Sequence, residues 1–411
     1  MKNSKVVEKC QICSNSQLEP ILFLGYLPPV NQMHPVGIKP SEQPSYPAQM
    51  LYCEKCDLVQ LGLIVSPEVL FPPEYPYTSS TTKILRDNFA ELYNECKIIV
   101  GLDKNDLVID IGSNDGNLLS NFKSHKVLGV TPEEVGNIAI ERGIPTIIDY
   151  FNKEVVEKIK KERGNAKIIT ATNVFAHMDN INEITELILD LLKEDGVFIS
   201  ESHYLLSLIK TLQYDTIYHE HLRYYSLHSL KYLLESHGLE IIHAKEIPTH
   251  GGSIRVYAAR KGKYNIKSTV EDLLEKEKDI VLSKGNLLEF KRQVVISKLK
   301  LQSLILDIKK QGKKIYGIGA PSRASTLINY VGIDDGMMDY VMEIKGSHKI
   351  GKYMPGTLIP VVEESRLYED QPDYALLLSW HIADELAPKI KEKGFKGSFI
   401  VPLPEPRVIK I

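Results

Sequence analysis

Tyr218-His-Glu-His221 sets four aromatic or titratable side chains in succession. A histidine near its ordinary pKa can accept a proton at neutral pH. A neighbouring carboxylate such as Glu220 can orient it, and a phenol such as Tyr218 can donate to an oxygen that gains negative charge. His177 follows another apolar run and can reach the same crevice. Separately, Cys10-x-x-Cys13 and Cys53-x-x-Cys56 hold four of the five cysteines. Two such knuckles in an intracellular chain point to a structural Zn²⁺ on four thiolates, with a pair of redox motifs as the rival. The 39 residues between Cys13 and Cys53 must then fold back to close the site. Cys96, alone in an amphipathic stretch, reads as a core thiol.

The elements that must position these groups follow from pattern. Leu107, Val108 and Ile109 read as a buried strand, Asp110 sits near its end, and Gly112 and Gly116 open a turn before a helix beginning at Leu118. Glycines there allow a close backbone approach to a ligand. The spacing Asp-x-Gly-x-x-x-Gly is neither a dinucleotide fingerprint nor a nucleotide phosphate loop. Strands at 127–130, 146–148, 167–171 and 196–200 alternate with helices at 135–142, 153–161 and 181–192. The alternation predicts a doubly wound parallel α/β sheet. A helix over 229–237 and strands at 239–247 and 253–260 close it as an antiparallel hairpin, the architecture of class I S-adenosylmethionine-dependent methyltransferases. Upstream, six prolines between Pro28 and Pro47 forbid a long helix and imply strands and turns. Tyr75-Pro-Tyr-Thr-Ser-Ser-Thr-Thr82 reads either as the lining of a polar small-molecule site or as a linker.

Residues 268–312 carry apolar residues at helical spacing, with Gly285 read as the break between two helices. Lys314-Ile-Tyr-Gly-Ile-Gly-Ala-Pro-Ser-Arg-Ala-Ser-Thr326 repeats the strand, glycine turn and helix pattern. Ser322 and Arg323 at the helix start suit a diphosphate, with Lys349 and Lys352 as secondary contacts. Strands at 340–343 and 374–378 complete a second α/β sheet. The 411 residues imply two or three domains: 1–82, 83–262 and 263–411. A formal net charge of −3 gives no pull toward nucleic acid or anionic membrane. With no apolar stretch of bilayer length and no signal-peptide core near Met1, the expectation is a cytoplasmic protein, monomeric or homodimeric.

The chain resembles the three-domain nucleotide-sugar C-methyltransferases. The carriers are the paired knuckles, Ile111-Gly-Ser-Asn-Asp-Gly116, Asn173-Val-Phe-Ala-His177, Tyr218-His-Glu-His221, His250-Gly-Gly-Ser-Ile-Arg255, Gly317-Ile-Gly-Ala-Pro-Ser-Arg323 and Pro355-Gly-Thr357. The resemblance implies a zinc module, a methyltransferase domain with a Rossmann-like sheet, and a second Rossmann-like domain that helps hold the sugar nucleotide. It implies S-adenosylmethionine on Asp110, Gly112, Asn114, Asp115, Gly116, Thr131 and Asn173. It implies substrate contacts at His250, Gly251, Gly252, Ser253 and Arg255, and catalysis by His221 as base, assisted by Tyr218, Glu220, His177 and Tyr77. His219 matches no catalytic position. One departure stands out: the second strand of this fold usually ends in Asp or Glu for the ribose hydroxyls, and here Thr131 stands there, with Glu133 or Glu134 able to compensate by a register shift.

The expected activity is therefore methylation of a carbon α to the ketone of a nucleotide-diphosphate keto-deoxysugar, through a His base and an enediolate. A methyltransferase with another small acceptor and a donor-independent, isomerase-like sugar enzyme are the rivals. The acidic balance speaks against a nucleic-acid-binding zinc protein.

Overall fold

The computed structural model describes residues 3–37, 42–71 and 79–410. Tyr77 and the first half of the 75–82 loop, residues 75–78, lie outside them. The proline-punctuated N-terminal segment forms strands, as its composition requires: β1 (Ser4–Val6), β2 (Glu19–Leu27), β3 (Tyr46–Cys53), β4 (Leu58–Leu61) and β5 (Leu63–Val65). The hairpin β2–β3–β4 is antiparallel, and β1 pairs with β5.

After the helix Lys83–Ile99 come β6 (Leu107–Ile111), β7 (Lys126–Thr131), β8 (Thr146–Ile148), β9 (Ala166–Thr172) and β10 (Leu192–His203). The two-residue β11 (Arg223–Tyr224) follows, then β12 (Leu239–Ile247) and β13 (Ser253–Arg260). The seven-stranded sheet runs β12-β13-β10-β9-β6-β7-β8, with β13 antiparallel to both neighbours. β6 and β9 are buried along their full length, because helices cover both faces. Two expectations shift here. Only a short 3₁₀ turn, Leu119–Phe122, follows the glycine loop. β10 runs on to His203, since it is central and pairs on both sides through Glu201.

The two helices that follow are Ser268–Lys278 and Lys284–Lys310. The break falls ahead of Gly285, because the Ser283 side chain caps the second helix by accepting from Asn286 N–H. The last sheet, β14 (Ile315–Ile318), β15 (Tyr340–Glu343), β16 (Val361–Glu363), β17 (Tyr374–Leu377), β18 (Ser398–Val401) and β19 (Arg407–Ile409), runs β16-β15-β14-β17-β18-β19. It is parallel except for β19.

Two joints help to tie the three larger sheets together. β11 leaves the methyltransferase region and pairs antiparallel with β4, so that the N-terminal sheet gains its fourth strand from the middle of the chain. Arg323, in the helix Ser322–Val331, makes a two-pronged ion pair with Asp215: Nε to Oδ2 at 2.7 Å and an NH2 nitrogen to Oδ1 at 2.8 Å. Asp215 is fully buried and also accepts from Trp380 Nε1 at 2.7 Å. Breaking a buried pair on one side leaves a desolvated charge, so Asp215→Asn is expected to destabilise the protein by about 3–5 kcal/mol in urea unfolding. A loss under about 1 kcal/mol, the size of a surface pair, would show that the joint carries little stability.

Candidate active site

Four histidines meet at the carboxyl ends of the middle sheet. His221 lies 5.0 Å from His177 and 4.8 Å from His203, ring centre to ring centre, and His203 lies 5.7 Å from His250. The Tyr218 ring is 4.2 Å from that of His221. His177 follows β9, His203 ends β10 and His250 sits in the β12–β13 turn, so three strand ends aim at one crevice, as open α/β sheets require. His221 Nδ1 is 2.7 Å from the Thr216 carbonyl oxygen. A carbonyl only accepts, so Nδ1 carries the proton and Nε2 is left as the acceptor. Burial then pushes the His221 pKa down to about 4, against the help of that carbonyl and reinforced by His250 and Arg323. The ring is neutral at physiological pH. Burial holds the Tyr218 phenol well above its ordinary value, which keeps it a donor.

The spacing of His221 and His177 is set by backbone. Leu222 N–H donates to Ala176 C=O at 3.0 Å, and Leu222 C=O accepts from Leu61 N–H in β4 at 2.9 Å. Arg223, fully buried, donates to the carbonyl oxygens of Met178, at 2.6 Å, and Asp179. β4 in turn holds the first knuckle: Gln11 N–H donates to Gln60 Oε1 at 2.9 Å. The four knuckle sulfurs lie within 4.8 Å of one another, with Cys10–Cys56 at 3.4 Å and Cys13–Cys53 at 3.5 Å. Tetrahedral zinc with Zn–S of about 2.3 Å fits four thiolates so gathered, and leaves no open position for catalysis.

Glu220 stands where all three parts of the chain meet. Asn31 Nδ2 donates to Glu220 Oε1 at 2.7 Å, and Asn31 Oδ1 accepts from Ser322 Oγ at 3.1 Å. Arg323 does not project toward a diphosphate. Besides Asp215 it donates to Gln213 Oε1, the His250 carbonyl and His381 Nδ1, and these partners take its five N–H groups. Arg255 is likewise taken, by Glu201, Glu95 and Asn88 within the buried flank of β10 and β13. Gly251 and Gly252 face the protein: an added Cβ would come within 2.7 Å of Gln213 and 2.6 Å of Ser207. Ser253 is buried and donates to Thr249 C=O. Lys349 Nζ donates to Ala320 C=O at 2.6 Å, and Lys352 lies half-buried beside Pro35.

On the cofactor side, Asp110 is buried beneath the glycine loop, accepts from Thr170 Oγ1 at 2.6 Å, and is pushed up to about 7 by desolvation. Asp115 accepts from Ser79 Oγ and Arg142, which pins the chain at Ser79 to the loop. Gly112 lets Val174 cross at a distance no Cβ would allow (2.4 Å), and Gly116 is needed against Ile144 and Ala139. Asn114 and Asn173 both adopt left-handed backbone at the mouth of the crevice. Asn173 Oδ1 is buried and has no hydrogen-bond partner among the described residues. An unmet acceptor there fits S-adenosylmethionine, whose ammonium group can donate. Four residues of these sites escape sequence reading: His203, Asn31, Asp215 and His381. Asp215 lies just ahead of the Tyr218–His221 motif, while His203, Asn31 and His381 fall in none of the quoted motifs.

Three family profiles match the chain: "Putative zinc binding domain" over residues 10–71, "Methyltransferase domain" over 82–244 and "C-methyltransferase C-terminal domain" over 248–404. The C-methyltransferase NovU of Streptomyces niveus is 32% identical over 409 residues, covering 98% of this chain and 97% of its own. Among solved structures, a S-adenosylmethionine-dependent methyltransferase of Clostridium acetobutylicum aligns over 44% of this chain and 94% of its own, at 13% identity and a TM-score of 0.35. The magnesium protoporphyrin IX methyltransferase of Synechocystis with bound SAH aligns over 43% and 83%, at 14% and 0.34. No helix among the described residues is long and apolar enough to cross a membrane.

Two outcomes follow from the site's physics. Burial lowers His177, His203, His221, His250 and His381 below the ordinary 6.5, to about 4 for His250 and about 3 for His381. Below pH 6.5 the unfolded chain therefore binds protons that the folded chain refuses, and stability falls as pH falls. The urea midpoint should drop between pH 7 and 5, and His250→Asn should flatten that slope; an unchanged slope would mean that His250 is not held neutral by burial. Chelating the zinc should speed amide hydrogen exchange at β4, Leu222 and β11 while leaving β6 and β7 protected. Exchange confined to the knuckles would break the proposed link between metal and His221.

Proposed function

Since this chain belongs to the three-domain C-methyltransferase family, whose zinc, methyltransferase and C-terminal domains it matches in order, we propose that it methylates the carbon α to the ketone of a nucleotide-diphosphate keto-deoxysugar. The observation that carries this reading is the His221 tautomer: a neutral imidazole with Nδ1 bound to Thr216 and Nε2 free to accept. S-adenosylmethionine, when bound, supplies an electrophilic methyl on sulfonium.

His221 Nε2 takes the α-proton, and the C–H electron pair moves into the carbonyl to give an enediolate. Tyr218 donates to the developing oxyanion, and burial keeps its proton in place. Glu220, held by Asn31, orients the sugar, and His177 stands behind the base at 5.0 Å. Asp110, Asn114 and Asn173 would hold S-adenosylmethionine to offer its methyl to the carbon that His221 has deprotonated. Tyr77 stays in the proposal as a further donor. With Arg323 and Arg255 engaged inside the protein, Lys352 meets the diphosphate, and Lys349 and Ser322 join it by giving up the Ala320 carbonyl and Asn31 Oδ1.

Incubation with S-adenosylmethionine and dTDP-linked keto-deoxysugars should yield a product heavier by one methylene, with its new methyl on carbon by NMR. With S-adenosylhomocysteine in D₂O, the wild type should exchange the α-hydrogen. His221→Ala should slow that exchange about 10²–10⁴-fold while binding S-adenosylhomocysteine as the wild type does. A new methyl on oxygen or nitrogen, or undiminished exchange in His221→Ala, would refute the mechanism.

A further inference from the structure

Thr131 ends β7 where an acidic side chain usually meets the cofactor's ribose, yet the chain holds a carboxylate two residues further on. Thr131 itself is buried, and its methyl group crowds Gly136, where an added Cβ would lie 2.7 Å away. A longer side chain at 131 would have to displace the start of the helix Gly136–Glu141. Glu133 is different. It is only partly exposed, whereas its neighbour Glu134 is exposed. Its carboxylate is hydrogen-bonded by the Asn114 side chain.

That contact fixes where the carboxylate lies. Asn114 belongs to the glycine loop after β6, and its Oδ1 is already taken by the Ser79 N–H at 2.9 Å. The amide must therefore present its Nδ2 hydrogens to Glu133. Glu133 thus closes the crevice between the carboxyl ends of the adjacent parallel strands β6 and β7, the switch region in which open α/β sheets bind nucleosides. Desolvation raises its pKa, opposed by the hydrogen bond from neutral Asn114. Among the described residues no cation pairs with this half-buried carboxylate, which has acceptor capacity to spare.

We propose that Glu133, and not Thr131, accepts the two ribose hydroxyls of S-adenosylmethionine, with Asn114 as its positioning residue. Thr131 leaves the strand end compact, and the Pro132 step carries the acidic function from the strand into the turn. A carboxylate accepts both hydroxyls at once through two oxygens, whereas a single threonine hydroxyl cannot bridge a diol. The inference rests on S-adenosylmethionine use alone and is independent of the sugar substrate proposed above.

Calorimetric titration of the full chain with S-adenosylhomocysteine and with its 2′-deoxyribose analogue tests this. Glu133→Gln should weaken S-adenosylhomocysteine about tenfold, the step from a charge-assisted to a neutral hydrogen bond. It should change binding of the 2′-deoxy analogue by much less. Glu134→Gln should bind both as the wild type does. Thr131→Glu should gain no affinity, because its site is filled. Equal losses for both ligands in Glu133→Gln, or wild-type affinity for S-adenosylhomocysteine, would overturn the assignment. If Glu133→Gln fails to fold by circular dichroism, Asn114→Ala takes its place. Removing the group that positions the carboxylate should then selectively weaken the ligand that carries the 2′-hydroxyl, and an equal loss for both would again overturn it.

Discussion

The site depends on one backbone residue, Leu222. Its N–H is held by Ala176 and its C=O by Leu61, so that one residue, through its two flanking peptide units, joins the loop after β9 to the edge of the N-terminal sheet. His177 and His221 sit one residue beyond Ala176 and one before Leu222. Their separation is therefore fixed by main-chain bonds that no side-chain substitution in the motif removes. β4 also carries Gln60, which holds the first knuckle, so the four-cysteine cluster and the His221 loop share one strand.

The remaining architecture protects that frame from its own electrostatics. Arg323, Arg255 and Arg223 are buried beside the site; the first two are ion-paired, and the third is met by carbonyls at its terminal nitrogens only. Asp215 neutralises the first, Glu201 and Glu95 the second, and backbone carbonyls meet the third. An unpaired guanidinium there would add to the desolvation that already depresses the histidines, and would push the His221 pKa down still further. The pairing with Asp215 has a second consequence, since it brings Gln213 and the His250 carbonyl onto the same cation. The C-terminal helix Ser322–Val331 is thereby seated directly on the histidine cluster.

Residues that share a motif do not share a task. In Tyr218-His-Glu-His221, the second histidine faces the cluster. His219 lies against Tyr46, with a ring nitrogen 3.3 Å from the Pro47 carbonyl, in the N-terminal sheet. In His250-Gly-Gly-Ser-Ile-Arg255, only His250 reaches the crevice, and it does so with a left-handed backbone (φ 56°). Gly251 and Gly252 allow the turn to pack on Gln213 and Ser207. Glycine loops suggest ligand contact, but several here serve close packing of protein on protein.

By itself the sequence determined the alternation of strands and helices, the antiparallel hairpin that closes the middle sheet, and the four-cysteine metal set. Each of these rests on local periodicity or on spacing within a turn, which the chain carries residue by residue. It also carried the carboxyl-end placement of His177 and His221, because strand order puts loops of that parity on one face. The tertiary structure alone decided which polar side chains are free. Arg323 and Arg255 look like ligands for anions until Asp215, Glu201 and Glu95 arrive from elsewhere in the chain. Asn31 and His381 gain meaning only where three sheets converge, and the choice of Glu133 over Glu134 comes only from its contact with Asn114. Such pairings join residues far apart in the chain, 189 positions for Asn31 and Glu220 and 291 for Asn31 and Ser322. Burial and partner choice at that range are properties of the packed chain, and no local pattern encodes them.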